Sequence, residues 1–304
     1  MRSVQQTTLA KSGAVEGAGL HTGAQAHISI RPAAAGTGIV FHRADLHHPN
    51  GKRFRGSEAE VAARASNVVE TRRGVTLANG RGASVKTVEH LLAAFALCGV
   101  DNAVVDIHGP EVPILDGSAA PFIWLIEDCG LARLDAPREI LEITAPVRVE
   151  AEGRFVQVEP YDGRLIEIEI DFADPAIGRQ SARLSLDDAE EAMGRLGSAR
   201  TFCTLGEVEA MRAAGLGLGG SLDNALVIDG GKVLNGDGLR DPCEFALHKA
   251  LDLVGDLSLA GAPLLGRVTA FKPGHDLNTR LARLLLDSPA AVRRRAPEAR
   301  LMRA

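Results

Sequence analysis

The sequence contains few cysteines, and their spacing argues against two common roles. No CxxC or CxxH pair is present, whereas thiolate zinc sites are usually built from such pairs. A chain of 304 residues can also bury a core without the help of disulfide bonds. We therefore expect unpaired cysteines that pack as small apolar side chains in a reducing compartment. The four are Cys98, Cys129, Cys203 and Cys243.

The sequence also lacks a long apolar run and an excess of positive charge. Its longest apolar run, residues 91–100, is far too short to cross a bilayer, and its first residues lack the apolar segment of a signal peptide. The net charge is −5, although arginines crowd the last dozen residues. We expect a cytoplasmic monomer with no integral membrane segment and no nucleic-acid partner, ending in a frayed basic tail over residues 287–304.

Periodicity divides the chain into two halves of similar size. Residues 131–138 lose the apolar periodicity of their neighbours and include Pro137, which predicts a linker between a first domain, 1–134, and a second, 138–286. Both halves begin with strands in which apolar and polar residues alternate, as in half-buried antiparallel sheets. These predicted strands are 26–31 in the first half and 154–159 and 165–171 in the second.

Each half continues with an amphipathic helix that holds a histidine and ends before a glycine, followed by a strand and a second helix. This repetition predicts an α+β fold of two layers with like topology, packed so that the two histidine helices approach each other. A site between them would take ligands from both halves. The predicted histidine helices are 84–98 and 242–260, the strands are 102–107 and 265–271, and the second helices begin near Ser118 and Asn278.

The second histidine helix carries three polar residues at intervals of four, His248, Asp252 and Asp256. Residues four apart lie one helical turn above each other, so an imidazole and a carboxylate at this spacing can bind one cation. The alternative is a hydrogen-bonded pair in the core, which is the more common explanation of an isolated HxxxD pattern.

A catalytic zinc site takes three protein ligands, and the first histidine helix offers the third, His90. Its neighbour Glu89 points about 100° away around the helix, so it is placed to hold a water molecule, as the glutamate of HExxH does. Taken alone, a Glu-His pair on a helix is more often an exposed acid beside an ordinary histidine. Its coincidence with the HxxxD pattern favours the metal site.

His275 follows a Pro-Gly turn directly after a predicted strand, where a side chain is presented rather than packed. Asp256 could reach this histidine from one turn further along the metal helix and keep it protonated. A protonated imidazole is what a general acid for an amine leaving group requires. The alternative is a surface histidine in a loop.

Seven motifs follow one another along the chain from its first residues to about Leu286. They are Gly19-Leu-His-Thr-Gly23, Thr87-Val-Glu-His-Leu91, Pro110-Glu-Val-Pro-Ile-Leu-Asp-Gly-Ser-Ala-Ala-Pro-Phe122, Ala199-Arg-Thr-Phe202, Leu216-Gly-Leu-Gly-Gly-Ser221, Glu244-Phe-x-x-His-Lys-x-Leu-Asp-x-x-Gly-Asp-Leu257 and Lys272-x-Gly-His275. Together they closely resemble the UDP-3-O-acyl-N-acetylglucosamine deacetylase family. The resemblance implies two β-α-α-β domains packed as a layered sandwich, with zinc between them.

The resemblance also implies a reaction, the zinc-dependent hydrolysis of the acetamide of a UDP-linked, acylated amino sugar. It releases acetate and the free amine, and it is the committed step of lipid A synthesis. By the resemblance, Glu89 matches the general base, His275 the general acid, Asp256 the residue that orients it, and Thr201 a donor to the oxyanion. The matched zinc ligands are His90, His248 and Asp252.

Seven further residues match positions that contact the substrate. Lys249 and Lys272 match cations near the phosphates, and Phe172 and Phe202 match aromatics around the uracil, although solvated lysines and core phenylalanines are the commoner outcomes. An inserted β-α-β unit, at about residues 207–234, would supply an apolar passage for the acyl chain, with plain packing as the alternative. The residues that fit its wall include Leu205, Leu216 and Leu218.

The sequence is also compatible with two other functions. Residues 215–221 are glycine-rich and resemble the phosphate loop of galactokinase-type enzymes, which would make the protein an ATP-dependent small-molecule kinase. No Walker lysine follows this run, and a kinase would leave His90 and His248 without a metal. The second rival is a ligand-binding protein without catalytic activity.

Overall fold

The computed structural model describes residues 4–48 and 50–296, which form an α+β fold. The helices are α1 (Glu89–Cys98), α2 (Ala120–Cys129), α3 (Ala189–Ser198), α4 (Leu205–Ala213), α5 (Glu244–Ser258) and α6 (His275–Leu286). The strands are β1 (Gln5–Leu9), β2 (Gly13–Ala18), β3 (Gln25–Pro32), β4 (Ile39–Arg43), β5 (Glu60–Ala62), β6 (Val68–Glu70), β7 (Thr76–Ala78), β8 (Ser84–Val85), β9 (Ala103–His108), β10 (Leu131–Pro137), β11 (Ile140–Ile143), β12 (Val147–Ala151), β13 (Arg154–Glu159), β14 (Arg164–Asp171), β15 (Arg179–Ser185), β16 (Phe202–Thr204), β17 (Leu226–Asp229), β18 (Lys232–Val233), β19 (Leu264–Phe271) and β20 (Val292–Arg295).

The first half of the chain builds a five-stranded sheet in the order β2-β3-β9-β4-β5. Its pairs are antiparallel except that β4 runs parallel to β9. In β3 the side chains of Ala26, Ile28 and Ile30 are buried and those between them are more exposed, so the strand predicted from alternation is confirmed. One face of this sheet therefore belongs to the core.

The second half builds a seven-stranded sheet around β19, which pairs antiparallel with β13 and parallel with β14 and β11. The strands predicted at 154–159 and 165–171 are β13 and β14. Helix α5 packs against β14 and β15, and α6 packs against β12 and β13. Among the described residues, no helix has both the length and the apolar character that a bilayer crossing requires.

The two histidine helices, α1 and α5, pack directly against each other. Nearly every residue of both is buried, including charged ones. Helix α1 ends at Gly99, whose φ of 77° lies in the left-handed region, as a closing glycine requires. This contact joins the two sheets through one continuous core and brings the polar residues of both helices together.

The first histidine helix begins later than its periodicity predicts. Residues 84 and 85 form β8, and the helix starts only at Glu89. Between them, Thr87 has a φ of 55°, which no right-handed helix accommodates. The apolar pattern continues through a strand end and a strained residue because both sides of the break face the core. The helix predicted to begin near Asn278 differs in the opposite direction, because it begins earlier, at His275. His275 is therefore the first residue of α6 and is not part of a loop, although the Pro-Gly turn before it suggests one.

Two segments predicted to be irregular contain strands instead. Residues 131–137 form β10, which pairs antiparallel with β1; whether a domain boundary lies here stays a prediction. Residues 292–295 of the predicted tail form β20, which pairs with β11 while Arg294 and Arg295 bind Glu139 and Glu142. Arg300 and Arg303 lie outside the described residues. The four cysteines are free, and only Cys129 is fully buried.

Candidate metal centre and active site

His90 on α1 and His248 and Asp252 on α5 converge in the core between the two helices. Their ligand-type atoms all lie within 4.8 Å of one another. One carboxylate oxygen of Asp252, Oδ1, lies 3.6 Å from His90 Nε2 and 3.4 Å from His248 Nε2. All three side chains are buried, so the cluster is shielded from water on most sides.

Hydrogen bonding and burial prepare His248 to act as a ligand. Its Nδ1 donates to the Ala199 carbonyl at 3.0 Å, which leaves the lone pair of Nε2 directed at the cluster. Burial lowers the pKa of His248 to about 3, so the ring is neutral at ordinary pH. Burial acts to raise the pKa of Asp252, but the Lys249 ammonium 2.9 Å away and the neighbouring histidines together outweigh it and hold that pKa well below its usual value.

The donor set fits zinc. Two imidazole nitrogens and a carboxylate oxygen are ligands that zinc accepts, and three protein ligands leave a fourth position for substrate or water. Tetrahedral bonds of about 2.0–2.1 Å place neighbouring donors about 3.3 Å apart. The separations of 3.4 Å and 3.6 Å measured from Asp252 Oδ1 are close to this value.

Glu89, the neighbour of His90, is buried at the start of α1. Its Oε2 accepts a hydrogen bond from the Val75 amide at 3.0 Å, while its Oε1 lies 3.9 Å from His275 Nε2. Burial raises the pKa of Glu89 despite the two neighbouring histidines. A carboxylate with a raised pKa, whose Oε1 accepts no hydrogen bond from the part of the chain that the structure describes, is suited to accept a proton.

His275 lies opposite Glu89 and is held by Asp256 of α5. The two side chains are joined by a hydrogen bond of 2.8 Å between His275 Nδ1 and Asp256 Oδ2. Burial opposes charging this histidine, but Asp256, together with the more distant Asp252 and Glu89 carboxylates, outweighs burial and raises the pKa of His275 to about 10. The ring is therefore positively charged at neutral pH and its Nε2 can donate a proton.

Thr201 and Phe202 follow Ala199, whose carbonyl orients His248. The Thr201 amide donates to the Gly117 carbonyl at 2.8 Å, and the Thr201 carbonyl accepts from Leu226. The Phe202 ring lies 6.2 Å from the His248 ring and 5.4 Å from that of Phe172, measured between centroids. Phe202 thus lies beside the metal cluster, and the exposed Phe172 contacts Phe202 on its outer side.

The predicted lysines are both engaged with acids. Lys249 Nζ donates to Asp252 Oδ2 at 2.9 Å, on the oxygen that does not face the histidines. Lys272 Nζ lies 2.8 Å from Asp171, at the exposed end of β14. Lys249 thus belongs to the metal cluster's own charge network, whereas Lys272 lies where a substrate anion could displace the acid.

The predicted insert, about residues 207–234, holds most of α4 followed by β17 and β18; the first strand of the β-α-β unit, β16, lies just before it at 202–204 and pairs parallel with β17. Leu205 is the first residue of α4, Leu216 is half-buried and Leu218 is exposed. The glycine-rich run docks on the turn between β2 and β3, since the amides of Leu218 and Gly219 donate to His21 and Leu20. A side chain at Gly219 would overlap the Gly19 carbonyl, so glycine here permits close packing. Those two amides are not free to bind phosphate.

Two residues of the site were not predicted from the sequence. Glu111 is fully buried and accepts hydrogen bonds from His21, Thr22 and Thr87, which ties the β2–β3 turn to the start of α1. Asn278 is also buried and donates to Asp256. Glu111 belongs to a recognised motif, and that was the only available signal, because an isolated Glu or Asn carries no periodicity that marks its partner.

Comparison with known proteins identifies the family to which this chain belongs. The family model described as UDP-3-O-acyl N-acetylglycosamine deacetylase matches residues 6–287. A UDP-3-O-acyl-N-acetylglucosamine deacetylase of Phenylobacterium zucineum is 45% identical over 277 residues, which cover 91% of this chain and 92% of that protein. A Geobacter protein of the same name is 47% identical over 285 residues, 93% of this chain and 90% of its own. The chain belongs to the UDP-3-O-acyl-N-acetylglucosamine deacetylase family.

Proposed function

We propose that the His90, His248 and Asp252 cluster holds zinc and is the place where this deacetylase hydrolyses its substrate. The reaction itself follows from family membership: the acetamide of UDP-3-O-acyl-N-acetylglucosamine is cleaved to acetate and a free amine, in lipid A biosynthesis. The kinase alternative is not supported. The observation that carries the proposal is that three ligand atoms converge beside one proton acceptor, Glu89, and one proton donor, His275.

Zinc bound at this cluster would supply Lewis acidity, which polarises the acetamide carbonyl. Glu89 takes a proton from the attacking water with its Oε1, while the Val75 amide holds Oε2 in place. The raised pKa of Glu89 makes it a stronger base than an exposed carboxylate. The Thr201 hydroxyl donates to the oxyanion that forms as the carbonyl is attacked.

His275 then delivers a proton to the departing sugar nitrogen. An amine is a poor leaving group unless it is protonated, and a charged imidazole is available at neutral pH because Asp256 stabilises it. The Nε2 of His275 lies on the Glu89 side of the ring, so acid and base flank one space. Each group is used in the protonation state that its surroundings favour.

The substrate's two ends bind to different parts of the surface. Lys272 and Lys249 attract the diphosphate, and Phe172 with Phe202 forms an aromatic edge for the uracil. The exposed Leu218, with Leu205 and Leu216, lines a passage for the acyl chain. Support comes from the adjacency of Phe202 to His248 and from the exposure of Leu218 and Phe172.

We also propose that the chain is divided into two domains. A first domain, 1–134, and a second, 138–286, each of β-α-α-β type, would pack as a layered sandwich with the site between them. The five-stranded and seven-stranded sheets on either side of the α1–α5 contact support this division. We further propose that the enzyme acts as a cytoplasmic monomer, in keeping with a substrate that is linked to a nucleotide.

Metal analysis combined with acetate release tests the proposed site. The purified protein should hold about one zinc per chain and release acetate from the nucleotide substrate. His90→Ala or Asp252→Ala should lose most of the metal while remaining folded, because each removes one of only three ligands. His108→Ala, at an exposed position on β9, is the matched control and should keep both metal and activity. Full zinc occupancy in either ligand variant would defeat the assignment.

A further inference from the structure

Asn278 is a buried amide on α6 that shares one carboxylate oxygen with the proposed general acid. It is 1% exposed, and its Nδ2 donates to Asp256 Oδ2 at 2.9 Å. The same oxygen accepts from His275 Nδ1 at 2.8 Å. Asp256 Oδ2 is therefore the meeting point of two donors that both come from α6.

Helix geometry fixes the spacing of these donors. His275 and Asn278 are three residues apart in the first turn of α6, and residues three apart lie on one face of a helix. The backbone N–H of Asn278 donates to the Gly274 carbonyl at 2.9 Å, so the first turn of α6, which carries both side chains, is itself hydrogen-bonded. One oxygen of the Asp256 carboxylate on α5 is thus hydrogen-bonded by two side chains, those of His275 and Asn278, whose spacing is set by one helical turn.

The other carboxylate oxygen of Asp256, Oδ1, is not held by hydrogen bonds in this way. Asp256 Oδ1 is buried and has no hydrogen-bond partner among the described residues. Without Asn278, a single bond to His275 would hold the carboxylate, which could then turn about its Cβ–Cγ bond and present either oxygen. The His275 ring would lose its fixed direction, because its Nδ1 bond sets where Nε2 points.

We propose that Asn278 is a positioning residue for proton delivery: by holding Asp256 Oδ2, it keeps His275 Nε2 directed at the space shared with Glu89. Asn278 touches neither substrate nor metal in this role and acts only through Asp256. The inference rests on the proposed function of His275 as general acid. A purely structural role would instead make Asn278 one more buried polar group of the core, bonded to Asp256 through Nδ2 while its Oδ1 has no partner among the described residues.

A double-mutant cycle separates these two roles. Asn278→Leu removes the amide at similar volume and should lower kcat by about 10-fold or more, the usual scale for a residue that orients a reactive group, with KM and zinc content nearly unchanged. In a His275→Gln background the same change should cost less than about twofold, because no acid remains to be positioned. An equal loss in both backgrounds, or no loss in the parent, would overturn the proposal.

The matched control is Thr279→Val, at the next position of α6. Thr279 is also buried, but its hydroxyl donates to the His275 carbonyl of its own helix and not to Asp256. Its loss should leave kcat within about twofold of the parent, since the coupled groups are not touched. If Asn278→Leu does not fold, Asn278→Ser, a smaller change that cannot span the same distance, enters the same cycle.

A second readout does not depend on activity. The proton between His275 Nδ1 and Asp256 should give a low-field NMR signal in the metal-free protein, assigned by its loss in His275→Gln. Asn278→Leu or Asn278→Ser should shift or broaden it, whereas an unchanged signal would contradict positioning. If His275→Gln itself keeps full turnover, the proposed acid is wrong; if it loses turnover but the Asn278 variants do not, only the inference about Asn278 fails.

Discussion

Gly255 of α5 lies directly against the backbone of Glu89 at the start of α1. A Cβ built on Gly255 would overlap the Glu89 carbonyl oxygen and approach the Ala93 amide nitrogen at 3.3 Å. The two helices that carry the metal ligands therefore touch at the proposed base itself. The absence of a side chain at this one position allows His90 and Asp252 to come within bonding range of one metal.

Gly255→Ala should therefore push the two helices apart. Overpacking of this kind costs about 1–3 kcal/mol in free energy of unfolding, and here it should also lower zinc content and turnover. Gly194→Ala is the matched control, since Gly194 lies within α3 and a Cβ there would meet nothing within 4 Å. The control should keep full activity. Thermal unfolding and metal analysis of both variants provide the measurement, and normal zinc content in Gly255→Ala would contradict this explanation.

Glu89→Gln should reduce turnover while the metal stays bound. The amide cannot accept the proton from water, so kcat should fall by about 10²-fold or more, whereas the three ligand side chains are unchanged. Glu127→Gln, on the exposed face of α2, serves as the control. Acetate release and zinc content are measured on the same preparations. Turnover near that of the parent would remove Glu89 from the mechanism.

The pH dependence of kcat/KM should report His275 on its alkaline side. Burial lowers the pKa of His275, but Asp256 and the neighbouring carboxylates together raise it to about 10, so the acid is present below that pH and is lost as the pH rises through it. Asp256→Asn removes the negative charge, and the alkaline limb should then move to lower pH as kcat falls. Because neighbouring groups titrate together, the test is the shift between variants. An identical alkaline limb in the parent, Asp256→Asn and His275→Ala would show that the acid lies elsewhere.

The raised pKa of His275 should also make the stability of the fold depend on pH. A histidine whose pKa is higher in the folded than in the unfolded protein stabilises the fold fully below its unfolded pKa of about 6.5, and this contribution disappears as the pH rises through the folded value. The loss of unfolding free energy caused by Asp256→Asn should therefore be larger at pH 6 than at pH 10. Chemical denaturation at the two pH values measures it. An equal loss at both would mean that His275 is not charged in the folded protein.

Affinity should depend on the length of the substrate's acyl chain. Each buried methylene should contribute about 0.8 kcal/mol, so substrates shortened step by step should bind correspondingly more weakly. Leu218→Ser, at the exposed wall residue, should reduce this increment, whereas removal of the uridine should not alter it. An affinity that does not vary with chain length would rule out the apolar passage.

Regular periodicity was sufficient to predict several elements that have one face in the core. β3, β13 and β14 alternate because one face of each packs inward, and this burial acts on every second residue. Helix α1 ends at Gly99, where only glycine takes the required φ without strain. Periodicity predicts a strand only when one face of the strand is buried in the core. The side chains of β10 are half-exposed or exposed throughout, so its apolar alternation is weak and this paired strand was predicted to be a linker.

The start of α1 shows why local pattern could not locate the site in detail. Val85 and Val88, on either side of Thr87, are apolar and buried, so the sequence reads as one helix through the break. The break is held by Glu111, which accepts from the Thr87 hydroxyl at 2.8 Å across 24 positions of the chain. No local pattern contains such a partner. The same holds for Asn278, which is 22 positions from Asp256.

The sequence by itself determined which side chains could do chemistry, since the spacing of His248 and Asp252 puts them on one helical face and the joint motifs indicate the family. The tertiary structure alone decided that His90 meets them, because this requires α1 and α5 to pack closely at Gly255. It also decided the charge of each group: burial keeps His248 neutral, while the neighbouring carboxylates, Asp256 above all, overcome burial and keep His275 charged. Two histidines of the same intrinsic pKa acquire opposite roles through neighbours that are distant in the chain or lie on another helix.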